Sequence, residues 1–136
     1  MSAFLDTNIL VYCFDAREAD KQARASALVE RLLAGDEPVW ISTQVAIEFL
    51  HWSRRSGADM LARERRREAL TLFRCQATTL DTVQAAWLLA AREQLAWFDA
   101  LIVQAALEAR AATLYSEELA HGRRYGALEV RNPFLG

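Results

Sequence analysis

The order of apolar and polar segments predicts an α/β fold in which helices cover both faces of a mostly parallel sheet. Short apolar runs alternate along the chain with longer segments of helical periodicity. The sequence has only five glycines and two prolines, which favours long helices with short connections. Its 136 residues, 53% of them apolar, contain no internal repeat or linker and predict one domain over residues 1–136.

Five short segments have the composition of buried strands. The first is the apolar run that begins at Ala3 and stops at Asp6, where a turn is predicted. The last ends at Asn132-Pro133, because proline cannot donate to a sheet ladder. The four predicted strands that follow the first are 39–42, 77–80, 113–116 and 128–131.

Segments with apolar residues three or four positions apart separate these strands and predict helices. In parallel sheets, binding sites form beyond the carboxyl ends of the strands. Polar side chains at those ends are therefore the first candidates for function. The predicted helices are 18–34, 43–55, 59–74, 82–94 and 98–111.

The charge balance constrains how the protein could contact nucleic acid. The net charge is −2 and the isoelectric point is about 5.7, whereas proteins that hold nucleic acid through their overall field are usually basic. Any such contact would depend on local arginines or on metal ions. The arginine-rich run at 63–67 is typical of a solvated helix face, and contact with phosphate is the alternative.

The two cysteines, Cys13 and Cys75, lie in apolar contexts, and their spacing matches neither a zinc site nor a disulfide framework. Both are predicted to be reduced core residues, which favours a cytoplasmic location. The N-terminus has no basic region or long apolar stretch, so no signal peptide is expected. Charges interrupt the later apolar segments, so no membrane span is expected either.

Several acidic side chains stand where burial would be costly. Asp6 follows directly on the first apolar strand, and Glu48 shares a helix face with Val45 and Trp52. Asp99 lies on the apolar side of its helix. Carboxylates are rarely buried unless they are paired, so each needs a cation, a donor or a cleft. The alternatives are a capping role for Asp6 and compensation of the helix dipole by Asp99.

Two further acids, Glu117 and Glu118, come directly after the fourth strand, where capping or surface exposure would also explain them. Taken together, the acids predict a pocket of carboxylates, which repel one another unless cations lie among them. Ligand sets made only of oxygen suit Mg²⁺ or Mn²⁺, and such sites activate water for in-line attack on phosphorus. The sequence has no nucleophilic serine or cysteine motif, no glycine-rich phosphate loop and no zinc-type histidine spacing.

The same segments, in the same order, resemble the signatures of the PIN domain family. Residues 6–8 after the opening strand resemble the first signature, and residues 42–50 resemble the second. The stretch 97–102 around Asp99 is similar to the third, and 116–119 to the fourth. The end of the chain, 130–134, resembles the terminal strand of VapC-type toxins within that family.

The resemblance implies roles for particular side chains. One departure is that the family usually has aspartate as its fourth acid, where this chain has Glu118, and Glu117 is an alternative for that position. Asn8 and Ser116 would support the acids by hydrogen bonding. The metal-site acids that the resemblance implies are Asp6, Glu48, Asp99 and Glu118.

The resemblance also implies a three-layer α/β/α sandwich and a Mg²⁺- or Mn²⁺-dependent endoribonuclease that hydrolyses RNA, such as tRNA, through an activated water. As the toxin of a VapBC toxin–antitoxin pair, the protein would form homodimers and be inhibited by a small antitoxin. One alternative is a catalytically silent PIN-fold interaction module, which the glutamate in the fourth position favours. A DNA nuclease on this fold usually carries large insertions, and this chain is too short for them.

Overall fold

A computed structural model describes residues 2–135 of the chain. Its six strands are β1 (Ala3–Leu5), β2 (Val39–Ser42), β3 (Arg74–Gln76), β4 (Thr113–Tyr115), β5 (Arg124–Tyr125) and β6 (Leu128–Arg131). They form one sheet in the order β3-β2-β1-β4-β6-β5. Every neighbouring pair is parallel except β5 and β6, which are antiparallel.

Six α-helices connect and cover the strands: α1 (Thr7–Phe14), α2 (Ala19–Ala34), α3 (Thr43–Arg55), α4 (Met60–Ala69), α5 (Leu80–Glu93) and α6 (Trp97–Glu108). Helix α1 packs against α2 and α3, α4 packs against α3, and α5 packs against α6. The arrangement is a three-layer α/β/α sandwich, which confirms the predicted fold class. No helix within residues 2–135 is long and apolar enough to cross a membrane.

Strand β1 lies inside the sheet, between β2 and β4, and all three of its residues are buried. Phe4 and Leu5 have no exposed surface, and burial of each such side chain contributes about 1.5–3 kcal/mol to stability. Leu114 of β4 and Ile41 of β2 pack in the same core. This packing fixes the position of the carboxyl end of β1. Asp6, the next residue, is therefore held in a buried position at that end of the sheet.

The predicted turn after β1 is wrong, because residues 7–14 form helix α1. Asp6 has extended backbone angles (φ −71°, ψ 160°), and its side chain accepts a hydrogen bond from Thr7 N, so it caps the helix. Ile9 and Leu10 are buried against the core, which stabilises a short helix that has little support from its own length. The apolar run 9–12 therefore forms part of helix α1.

The third strand was predicted too late in the chain. The helix predicted over 59–74 ends at Ala69, and a single 3₁₀ turn (Leu70–Leu72) leads directly into β3, which pairs with β2. The predicted strand 77–80 is instead the approach to α5, because Thr79 caps that helix and forms a capping box with Thr82. Cys75, in β3, is exposed, so its prediction as a core residue is wrong.

The antiparallel strand β5 was not predicted. It is only two residues long and pairs with β6 through Arg124↔Glu129 and Tyr125↔Leu128. The hairpin turns at Gly126, whose φ of +61° is a conformation that glycine adopts without strain. The predicted strand 128–131 is present as β6.

Candidate active site

A cleft of about 560 Å³ opens at the carboxyl edge of the sheet, between helices α1, α3 and α6. Its position agrees with the rule that sites in parallel sheets form beyond the carboxyl ends of the strands. The side chains that reach it come from segments far apart in the sequence. Glu117 does not line this cleft, whereas the four acids that the family resemblance implied as metal-site residues do: Asp6, Glu48, Asp99 and Glu118.

Asp6 is the most buried of these acids, with 5% of its surface exposed. Its Oδ1 accepts from Thr7 N at 2.7 Å, and its Oδ2 accepts from Ser116 Oγ at 2.8 Å and from Asn8 Nδ2 at 3.3 Å. Burial raises the pKa of this carboxyl to about 6, despite the hydrogen bonds, and the charges of Glu118 and Glu48 act in the same direction. Asp6 thus combines the capping role with a desolvated carboxylate at the cleft.

Glu48 is held by two neighbours. Thr7 Oγ1 donates to its Oε1 at 2.5 Å, and Gln44 Nε2, one helical turn earlier, donates to its Oε2 at 3.3 Å. The same Gln44 nitrogen donates to the carbonyl oxygen of Phe98 at 3.2 Å, which links α3 to the start of α6. Gln44 lines the cleft, and its buried Oε1 has no hydrogen-bond partner within the described residues.

Asp99 and Glu118 complete the acidic group. Asp99 lies in the first turn of α6, where the helix dipole favours a carboxylate. Its pKa is raised by partial burial and then by the charge of Glu48. The pKa of Glu118 is raised by partial burial and then by the charges of Asp99, Glu48 and Glu117. The acids therefore interact electrostatically although they come from four separate parts of the chain.

The two predicted supporting residues both lie beside Asp6. Asn8 donates to Asp6 and accepts from Glu117 N at 3.1 Å, so it joins α1 to the loop after β4. Ser116 is fully buried; its hydroxyl donates to Asp6 and accepts from the N–H groups of Glu118 and Leu119, both at 3.2 Å. Ser116 therefore orients Asp6 and shapes the segment that carries Glu118.

Replacement of Ser116 by alanine is expected to lower the free energy of unfolding by about 2 kcal/mol, because two N–H groups lose their acceptor and the buried Asp6 carboxylate loses one of its donors. Urea denaturation followed by circular dichroism measures the change. Ser2→Ala, which removes a hydroxyl in an exposed hydrogen bond to Arg110 O, is the matched control and should change stability by less than about 0.5 kcal/mol. Equal stability of the two variants would contradict the role of Ser116.

Glu117 and Glu118 have different surroundings. Lys21 Nζ lies 2.9 Å from Glu117 Oε2, and the Tyr12 hydroxyl donates to Glu117 Oε1, also at 2.9 Å. The same ammonium group lies 4.9 Å from the centre of the Tyr12 ring, which adds a cation–π contact. Glu117 is therefore neutralised by the chain's only lysine, whereas Glu118 lines the cleft.

The donor set of the cleft suits a hard divalent cation. It offers carboxylate and amide oxygens, which are the ligands preferred by Mg²⁺ and Mn²⁺. The hydrogen bonds to the Asp6 carboxylate come from neutral groups, so its charge is not balanced by a cationic side chain in direct contact. Within residues 2–135, no three His, Cys, Asp or Glu side chains stand close enough together to hold a metal ion. Mutual repulsion favours such separation of the carboxylates.

Several residues of the cleft were missed in the sequence. Thr7 and Gln44 both donate hydrogen bonds to Glu48. Thr7 could have been found from its position next to Asp6, and Gln44 from its position four residues before Glu48. Asp15 and Arg17, at the far end of α1, form an ion pair at the mouth of the cleft. The sequence predicted a turn rather than a helix after Asp6, so neither residue was expected at the cleft.

The fold and the site together define an α/β/α sandwich with an acidic cleft at the carboxyl edge of its sheet. The chain belongs to the PIN domain family, whose model matches residues 3–122. No curated protein matches its sequence.

Three solved structures illustrate how widely the fold is shared. A toxin–antitoxin complex from Klebsiella pneumoniae is similar at 22% identity and a TM-score of 0.75, with 97% of this chain and 98% of that chain covered. VapC20 from Mycobacterium tuberculosis, described as a sarcin–ricin loop cleaving toxin, is 20% identical over 82% of this chain and 86% of its own, with a TM-score of 0.65. VapBC2 from Rickettsia felis, bound to a DNA fragment from its promoter, is 20% identical over 97% of this chain and 98% of its own, with a TM-score of 0.67.

Proposed function

We propose that this protein is a metal-dependent endoribonuclease that acts as the toxin of a VapBC-type toxin–antitoxin pair. The observation that carries the proposal is that Asp6, Glu48, Asp99 and Glu118 line one cleft. The buried Asp6 carboxylate, whose pKa is raised by desolvation, favours a cation in that cleft. Membership of the PIN domain family supports the same activity.

Asp6 and Asp99 would bind the cation, and Glu48 and Glu118 would reach it directly or through water, since no three of these side chains stand close together within residues 2–135. Ser116 Oγ and Thr7 N each donate to one oxygen of the Asp6 carboxylate, so the orientation of this carboxylate is fixed at both oxygens. Glu48 is kept at the cleft wall by Thr7 and Gln44. A bound Mg²⁺ or Mn²⁺ would supply Lewis-acid stabilisation and a water of lowered pKa for hydrolysis of the phosphodiester.

We assign the fourth acidic position to Glu118 rather than to Glu117. Glu118 lines the cleft and interacts electrostatically with Asp99 and Glu48. Glu117 is already paired with Lys21 and accepts a hydrogen bond from Tyr12, so its charge is compensated without a metal ion. The longer glutamate side chain at 118 would substitute for the aspartate that is usual in the family.

The toxin assignment is supported by three toxins or toxin–antitoxin complexes that share the fold. An antitoxin would find an apolar groove of about 290 Å³ beside α1 and α2, whose walls include Leu10, Phe49 and Phe73. For the homodimer, α5 offers Leu80, Trp87 and Leu88. All three side chains are more than two-thirds exposed, at 71%, 68% and 67%.

We propose a single domain over residues 1–136 and a cytoplasmic location.

The substrate we propose is structured RNA, with tRNA and the sarcin–ricin loop of ribosomal RNA as the first two candidates. The neighbour from Mycobacterium tuberculosis is described as cleaving the latter. Purified protein is expected to cut one of these RNAs when Mg²⁺ or Mn²⁺ is present and not when EDTA is added. Single-stranded and duplex DNA serve as the comparison substrates.

The outcomes separate the competing functions. Metal-dependent cleavage of RNA but not DNA supports the proposal. Cleavage of DNA alone would assign the protein to the DNA nucleases of this fold. Binding of Mn²⁺ without cleavage of tRNA, total ribosomal RNA or DNA would indicate a silent interaction module. Absence of both cleavage and Mn²⁺ binding would show that the acids have a structural role.

A further inference from the structure

A smaller pocket of about 250 Å³ adjoins the acidic cleft. The cleft and this pocket share three wall residues, Asp15, Arg17 and Trp52, so the two spaces border each other. Arg66 of α4 forms another wall. We name this space the arginine pocket, after its two cationic residues, Arg17 and Arg66.

The guanidinium group of Arg66 is held in place by neutral partners. Its Nη1 donates to Ser56 Oγ at 2.9 Å and to Ser53 Oγ at 3.2 Å. Its central carbon lies 4.8 Å from the centre of the Trp52 ring and 5.8 Å from that of Phe14. These contacts fix the planar guanidinium group. No carboxylate within residues 2–135 is hydrogen-bonded to it, so its charge can meet an incoming anion.

Arg17 stands at the boundary between the two spaces. Its Nε and Nη2 donate to the two carboxylate oxygens of Asp15 at 3.0 and 3.2 Å, while 80% of its side chain is exposed. Asp15 is buried, so the pair holds Arg17 at the rim of the cleft. One carboxylate against the guanidinium groups of Arg17 and Arg66 leaves the arginine pocket with one net positive charge.

We propose that the arginine pocket binds a backbone phosphate of the RNA strand, adjacent to the phosphodiester positioned at the four acids. This inference rests on the proposed function. The carboxylates of the acidic cleft repel a polyanion, so attraction must come from cations, either a metal ion in the cleft or arginine side chains beside it. Guanidinium groups match phosphate oxygens in geometry and stay charged at every physiological pH.

The surroundings of Arg66 differ from those of its neighbours in the arginine-rich run of α4. Arg65 and Arg67 are both exposed, and Arg67 is paired with Glu64. Only Arg66 of these three turns onto Trp52 and lines the pocket. The run is thus a solvated helix face at 65 and 67, as its composition indicated, and a pocket wall at 66.

Fluorescence anisotropy with a short fluorescein-labelled single-stranded RNA tests the proposal. All binding is measured in Mg²⁺ in an Asp6→Asn background, so that no cleavage occurs. Arg66→Gln and Arg17→Gln are each expected to weaken binding about 10-fold and to reduce the slope of log affinity against log salt by about 0.7. Arg65→Gln removes the same charge from an exposed site on the same helix and should leave affinity within about 2-fold.

Equal losses in the Arg65, Arg17 and Arg66 variants would mean that only overall charge matters, and would overturn the arginine pocket. If Arg66→Gln loses its fold by circular dichroism, Arg17→Gln decides the question, because its side chain is largely exposed. Displacement of the RNA by an equal concentration of inorganic phosphate would assign the pocket to a free anion instead.

The proposed function is judged separately, by RNA cleavage with the wild-type protein. Wild-type cleavage with unaltered binding in both pocket variants would refute only the arginine pocket. Weaker binding in those variants, without cleavage by the wild type, would keep the pocket and refute the nuclease.

Discussion

Asp6→Asn lowers the rate of RNA cleavage by more than about 100-fold while the protein remains folded. Loss of a group that merely supports a metal ligand typically costs about 10- to 100-fold, and Asp6 is proposed to contact the cation itself. The amide has nearly the same shape, and its carbonyl oxygen can still accept from Thr7 N, so the cap of α1 is preserved. Cleavage is measured with Mn²⁺ on the RNA that the wild type cuts best.

Asp36→Asn is the control for this variant, since Asp36 is an exposed aspartate in the loop after α2. Its cleavage rate should stay within about 2-fold of the wild type. Asp99→Asn tests the same idea on α6 and is expected to be as inactive as Asp6→Asn. A folded Asp6→Asn protein with wild-type activity would remove Asp6 from the proposed machinery.

In the absence of divalent cations, the wild type is expected to lose stability relative to Asp6→Asn as the pH rises from 4 to 7.5. Burial raises the folded-state pKa of Asp6 to about 6, above its value in the unfolded chain. Between these two pKa values the folded state binds more protons than the unfolded state, so the stability of the folded protein falls as the pH rises. The full difference is about 3 kcal/mol, because each pKa unit corresponds to about 1.4 kcal/mol.

Urea denaturation in EDTA, at several pH values between 4 and 7.5, measures this difference. The stability of Asp6→Asn relative to the wild type should increase as the pH rises through this range and level off above the folded-state pKa of Asp6. Mn²⁺ should stabilise the wild type at pH 7.5 and have little effect on Asp6→Asn, because a ligand stabilises only the folded state that binds it. Parallel pH profiles for the two proteins in EDTA would contradict the raised pKa.

Strands and helices differ in how well the sequence predicted them. Strands β1, β2, β4 and β6 were predicted within one residue, because each is an apolar run bounded by polar residues. Strand β3 has the sequence Arg74-Cys75-Gln76 and is set by pairing with β2, which composition does not reveal. Helix α1 was missed because its first turn depends on a side-chain cap and its stability on burial against the core.

The acids of the candidate site were easier to predict from the sequence than strand β3 and helix α1. A carboxylate placed within an apolar pattern conflicts with burial, and this conflict is visible in the sequence at Asp6, Glu48 and Asp99. The residues that hold them, such as Thr7 and Gln44, carry ordinary polar side chains and create no such conflict. The inward turn of Arg66 depends on contact with Trp52, which arises only from the packing of α4 against α3.

The hydrogen bond between Asp6 and Ser116 joins residues 110 positions apart, and β4 pairs directly with β1. Asp6 therefore leaves the ribosome 110 residues before its buried partner Ser116. Glu118 arrives later still. If the protein cuts cellular RNA, the order of its synthesis delays that activity, because the cleft cannot be assembled before Ser116 and Glu118 have been made.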